Sequence, residues 1–108
     1  MSRIAILPAS AVAVLALTGS ANAASFNCYG HLSYTEKTIC DNADLSEADS
    51  TMASIYFNIL NSAPWGSRHA IQRQQIRWLG ARDECGANVG CLRTAYHRRI
   101  QLLSEAGY

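Results

Sequence analysis

The sequence predicts an all-α protein: a small antiparallel three-helix bundle with a short, disulfide-pinned N-terminal arm and helix. Three observations predict it. Apolar residues recur at steps of three and four through three long segments. No polar-bounded run alternates with period two, so no strand is expected. Four cysteines, Cys28, Cys40, Cys85 and Cys91, lie within this region, in a chain too short to rely on its core alone.

The elements follow in order. Met1–Ala23 carries Arg3, an apolar run from Ile4 to Leu17 and a terminal Ala21-Asn22-Ala23. A positive start, a short apolar middle and small residues at A-x-A describe a secretory signal peptide cleaved after Ala23. The run is 14 residues long and is interrupted by Pro8 and Ser10, whereas a membrane span needs about 20. The domain is therefore expected to be Ala24–Tyr108, without a membrane anchor. Cys28 is preceded by Ser25-Phe26-Asn27, which is no lipid-attachment motif.

Ala24–Ser33 reads as an irregular arm held by Cys28. Thr35 is expected to cap a short helix over Glu36–Cys40, and Asp41-Asn42-Ala43-Asp44 supplies a break and a second cap. From Leu45 to Ala63 the inward positions are Leu45, Ala48, Met52, Ile55, Tyr56, Ile59, Leu60 and Ala63. Ser46, Glu47, Asp49, Ser50, Ser54, Asn58 and Asn61 take the opposite face. Pro64-Trp65-Gly66 ends this helix. Ser67 is expected to cap the next, which runs to about Glu84 with Ala70, Ile71, Gln74 or Gln75, Trp78, Leu79 and the stem of Arg82 inward. Gly86–Gly90 makes a tight connection between Cys85 and Cys91. The last helix runs from about Cys91 to Ala106, with Leu92, Ala95, Tyr96, Ile100 and Leu103 inward and Arg93, Arg98, Arg99 and Gln101 outward. Helices of about 16 to 19 residues span roughly 24–28 Å. With short connections they pack as antiparallel neighbours.

An even number of cysteines after an export signal reads as disulfides. Three connectivities are possible. Proximity in sequence favours Cys28–Cys40 and Cys85–Cys91, which on the loop-entropy model contribute about 3 and about 2.4 kcal/mol. Neither the spacings nor the absence of C-x-x-C suits a zinc site or a redox motif.

Charge excludes some functions. Ala24–Tyr108 holds 8 Lys and Arg against 8 Asp and Glu, for a formal charge of zero. That disfavours nucleic acid and a polybasic membrane surface. The charge is uneven, however. Ala24–Pro64 has Lys37 against five acidic residues, a net of −4; Trp65–Tyr108 has seven arginines against Asp83, Glu84 and Glu105, a net of +4. Helices so charged attract one another, and they also give a bipolar surface.

No cofactor, metal or catalytic constellation is expected. His31, His69 and His97 are scattered, and no G-x-S-x-G or phosphate loop occurs. The carboxylates Asp41, Asp44, Glu47 and Asp49 crowd a helix start, where capping and dipole pairing account for them without glycosidase chemistry. An enzyme is not expected. Trp78 reads as core. Trp65 is expected to fold partly over the end of the bundle, and its loop position also makes it a candidate contact residue.

Read together, the residues Phe26-Asn27-Cys28, Glu36-Lys37-Thr38-Ile39-Cys40, Gln75 to Cys85 (QIRWLGARDEC) and Cys91 to Ile100 (CLRTAYHRRI) form a pattern. The order F-x-C, E-K-x-I-C, Q-x-x-W-L-x-x-R-D-x-C, C-L-x-x-x-Y-x-x-R-I resembles the N-terminal domain of the LprI-type lysozyme inhibitors over essentially all of Ala24–Tyr108. The resemblance implies a small exported helical domain with two disulfides and, for the namesake, inhibition of lysozyme. Unlike the namesake, a lipoprotein, this chain shows no lipobox before Cys28 and is expected to have no second domain. The expected function is inhibition of lysozyme-type muramidases by stoichiometric, non-covalent occlusion, in the periplasm or outside the cell. The alternative is a protein-binding module for another envelope component. Glu36, Trp65 and Arg82 are the candidate partner-binding residues. Glu36 and Arg82 are also expected to pair with each other at one end of the bundle.

Overall fold

The computed structural model describes residues 24–106. The expected leader, Met1–Ala23, and the last two residues lie outside the described residues. The fold is all-α: helix α1 spans Tyr34–Asp41, α2 Ala43–Ser62, α3 Arg68–Asp83 and α4 Val89–Glu105, with a 3-10 turn at Trp65–Ser67. No strand occurs among the described residues.

Helix starts differ from expectation for local reasons. α1 is capped by Ser33, not Thr35. Ser33 Oγ accepts from the Glu36 amide (3.1 Å) while Glu36 Oε1 accepts from the Ser33 amide (2.9 Å), the reciprocal box that Ser-x-x-Glu encodes. The Thr35 hydroxyl is turned inward, shared between the carbonyl oxygens of Asp83 (3.2 Å) and Gly86 (3.0 Å). Asn42 precedes α2 without a side-chain cap; its Nδ2 instead donates to the Thr38 carbonyl (2.8 Å) and closes α1. Ser67 does not cap α3 either, because its backbone is already helical (φ −94°, ψ −14°) and an N-cap needs an extended residue. α4 starts two residues earlier than expected, since Asn88 Oδ1 accepts from the Cys91 amide (3.0 Å).

Contacts fix the directions of the helices. Arg68 at the start of α3 reaches the end of α2 at Leu60, and Arg82 at its end reaches Asp49 near the start of α2. α2 and α3 are therefore antiparallel. Gln75–Arg99 and Trp78–Tyr96 make α3 and α4 antiparallel in turn. The two expected disulfides form: Cys28–Cys40 ties the arm to α1, and Cys85–Cys91 closes the α3–α4 turn. Gly86 in that turn has φ +59°, the left-handed region that glycine enters without a Cβ clash.

α2 packs most extensively on α4, and α1 covers the start of α2. Ile39, Leu45, Met52, Tyr56, Leu92 and Tyr96 form the centre of this seam. α3 is different. Its only buried residues are Gln75 and Arg82, with Ile71, Trp78 and Leu79 half-buried. Ala70, expected inward, is exposed, and Gln75 rather than Gln74 faces in. Three residues expected outward, Ser46, Asp49 and Arg99, are buried. Ser46 Oγ donates to the Ile39 carbonyl (2.7 Å), and Arg99 Nη2 donates to Gln75 Oε1 (2.8 Å).

Candidate functional site

Of the three candidate contact residues, Trp65 is exposed, Glu36 half-buried and Arg82 buried. Glu36 is engaged in the α1 capping box and forms no pair with Arg82. Arg82 is buried: Nε and Nη2 donate to Asp83 Oδ1 (3.0 and 2.8 Å), and Nη1 donates to the Tyr96 hydroxyl (3.2 Å). The expected Glu36–Arg82 pair does not form; the buried carboxylate at that end of the bundle is Asp49. The Tyr96 hydroxyl donates to Asp49 Oδ1 (2.7 Å), the Ser25 amide donates to Oδ2 (2.7 Å), and the Ser25 hydroxyl binds Oδ2 as well. Arg82 Nη1 stands 3.9 Å from the same carboxylate. Burial, and then the hydrogen bond to Asp49, push the Tyr96 phenol well above the usual tyrosine range. Burial lowers the Arg82 pKa, but Tyr96 and Asp83 outweigh it and hold the guanidinium above its ordinary value. The network joins the N-terminal arm, α2, α3 and α4 at one point.

Trp65 takes the opposite place. It is 87% exposed, so it does not fold over the bundle end as expected. The reason is next door: Arg68 Nη1 donates to the Leu60 carbonyl (2.6 Å), terminating α2, and its guanidinium lies 5.7 Å from the indole centroid. The same arginine thus closes the helix and carries the ring outside.

From this tip a groove of about 740 Å³ runs between α2 and α3. Met52, Tyr56, Leu60 and Leu79 line its floor. Phe57 (53% exposed) and Ile76 (67% exposed) line it from opposite helices, with His69, Gln72 and Arg73 on the α3 side. His69, Arg73 and Ile76 are spaced at i, i+4 and i+7, one face of α3. Phe57 and Ile76 are absent from the inward stripes of the sequence reading. Their signal was available, since both are large apolar residues lying off the buried stripe of their own helix. Asp49 was legible as well: it stands four residues after Leu45 and three before Met52, on the inward stripe.

Electrostatics separate the two ends. Four of the five acidic residues of the first half are engaged: Asp49 is buried, Asp44 takes Arg93 at 2.6 Å, Asp41 takes Lys37 at 3.5 Å, and Glu36 caps its own helix, while Glu47 is exposed. The Arg93 hydrogen bond holds the Asp44 carboxyl below its ordinary range. Among the described residues Arg73, Arg77 and Arg98 form no ion pair. The exposed Glu47, Glu84 and Glu105 form none either, and the cation beside Trp65 is Arg68. Among the described residues no three His, Cys, Asp or Glu side chains gather as a metal site, and no helix is long and apolar enough to cross a membrane.

Comparison with models of known families, with curated proteins and with solved structures gave no match.

Proposed function

We propose that this domain is an exported inhibitor of lysozyme-type muramidases that occludes the enzyme cleft stoichiometrically and without a covalent step. The observation that carries the reading is the α2–α3 tip. An indole 87% exposed is held out by Arg68 and followed along α3 by His69, Gln72 and Arg73. Glycosidase clefts carry a pair of carboxylates flanking the bond they cleave. A tip that offers a rigid aromatic plate with unpaired cations beside it complements such a cleft in shape and in charge. Most acidic residues of the first half are engaged within the fold, whereas Arg68 and Arg73 on the side of the tip form no ion pair among the described residues. The resemblance to the LprI type supports the reading through the frame residues Trp78, Arg82, Asp83, Cys85 and Cys91, which hold α3 in position behind the tip. Two disulfides support an oxidising location, the periplasm in a cell with two membranes and the extracellular side otherwise.

The test is a titration of the oxidised protein into a cell-wall clearing assay with an animal-type lysozyme. A break near one equivalent, lost with Trp65→Ala while the melting temperature stays unchanged, is the expected result. Full inhibition by Trp65→Ala would remove the tip from the mechanism. No effect at large excess would sink the inhibitor reading. The alternative is then a binding module for another envelope protein, a reading favoured by the apolar residues Phe57 and Ile76 along the groove.

A further inference from the structure

A second pocket lies on the other side of α3, between α3 and α4. Ile59, Ile71, Leu102 and Leu103 give it apolar walls, and Arg77, Arg99 and Glu105 are its charged residues. Arg99 is the unusual member. It is 6% exposed, yet the partners it meets among the described residues are neutral: Nη2 donates to Gln75 Oε1 at 2.8 Å, and the guanidinium stands 5.7 Å from the Trp78 ring centroid. Nε is buried with no hydrogen-bond partner, and no carboxylate of the described residues pairs with Arg99. Arg82, the other buried arginine, is by contrast served by Asp83, Tyr96 and Asp49. A buried guanidinium without a counter-charge is costly, because desolvation is not offset by a partner. Burial accordingly pulls the Arg99 pKa below its ordinary value, with Tyr56 acting weakly the other way. Arg77, one helical turn from Arg73 and exposed, is equally without an ion pair among the described residues.

We infer that the α3–α4 pocket binds a small organic anion, with its acidic group at Arg99 and Arg77 and its apolar body against Ile71 and Leu102. The volume, about 890 Å³, is in the range of small-molecule sites, about 300–1,000 Å³. Guanidinium groups match carboxylate and phosphate oxygens through paired N–H donors. Leu102, 58% exposed, is the apolar surface that such a ligand would cover. Glu105 shares the pocket and disfavours a second negative charge, which points to a monoanion. The site faces away from the α2–α3 groove and does not rest on the muramidase reading.

The chain has two tryptophans, so Trp65→Phe leaves Trp78, beside Arg99, as the only indole reporter. Titrating that oxidised protein with 4-phenylbutyrate, the monoanionic diester methyl phenyl phosphate and the neutral 4-phenylbutanol is the direct test. A saturable change in Trp78 emission is expected with at least one anion, at least about tenfold tighter than with the alcohol. The two anions distinguish a carboxylate from a phosphate ligand. Arg77→Gln, at an exposed position, should weaken binding several-fold with melting unchanged, and Arg99→Gln should abolish it. Failure of both anions to saturate at millimolar concentration would overturn the site. So would equal binding of the alcohol, or full binding by Arg77→Gln and Arg99→Gln together. Binding that appears only in Glu105→Gln would show the pocket satisfied by its own acid, and would overturn the inference too.

Discussion

The seam between α2 and α4 and the seam that holds α3 are built from different materials. The first is apolar, with Leu45, Met52, Leu92 and Tyr96 all at 1% exposure or less. The second is largely polar: Arg82 and Gln75 are its buried residues, and Trp78 lies half-buried, packed edge-on against Tyr96 at 5.2 Å. Hydrophobic burial is non-directional and tolerates small shifts, whereas a buried guanidinium must meet specific oxygens at hydrogen-bond distance. The α2–α4 pair therefore supplies most of the driving force for folding. The Asp49–Tyr96–Arg82 network instead sets where α3 sits, and with it the tip and both pockets. A helix held by polar contacts can keep its other faces free of core duty, and α3 carries the groove on one side and the anion pocket on the other.

The strongest way to break this comparison is Arg82→Ala. Removing one partner of a buried charged pair costs about 3–5 kcal/mol. Denaturant unfolding should show a loss of that order, and amide exchange in α3 should accelerate before that in α2 and α4. Lost inhibition with unchanged stability would mean that Arg82 acts on a partner and not on the fold.

Removing the Cys85–Cys91 bridge as a double serine variant should cost about 2.4 kcal/mol on the loop-entropy model. The loss should again fall first on the α3–α4 turn, where Thr35 holds the Asp83 and Gly86 carbonyls. An unchanged thermal melt would remove the disulfide from the argument.

Tyr96→Phe sharpens the comparison, because it deletes one hydroxyl shared by Asp49 and Arg82 while leaving the ring in the apolar seam. The expected cost is about 1.5–3 kcal/mol, the range for hydrogen bonds to charged groups. It also has a pH signature. The Tyr96 pKa is raised in the folded protein, chiefly by burial, so its contribution is complete below the ordinary tyrosine value of about 10 and is lost as pH rises beyond it. Wild-type stability should fall on that alkaline limb, and Tyr96→Phe should flatten part of the fall. Identical alkaline limbs would show that Tyr96 is not the group responsible.

The smallest effect is expected from Asp44→Asn, which removes the surface pair with Arg93 between α2 and α4. The Asp44 pKa is lowered, so its contribution is present above the ordinary carboxylate value and is lost as pH falls below that range. Salt should erase the difference between wild type and variant. A loss comparable to that of Arg82→Ala would mean that surface charge, not the buried network, organises the bundle.

What the sequence determined by itself was local. The all-α class, the long helices to within a few residues and the two disulfides followed from periodicity and from cysteines 12 and 6 residues apart, all of which act over short stretches of chain. The caps at Ser33 and Asn88 were equally local; Ser-x-x-Glu competed with Thr35, and the two-residue difference decided the start of α1. Only the tertiary structure decided which partners the interior polar residues meet. Asp49 meets Tyr96 across 47 positions, and Arg99 meets Gln75 across 24. The outward placement of Trp65 likewise depended on Arg68 finding the last turn of α2. The position of a charged side chain on its helix shows which way it faces, but no pattern inside that helix records which partner another segment brings to it.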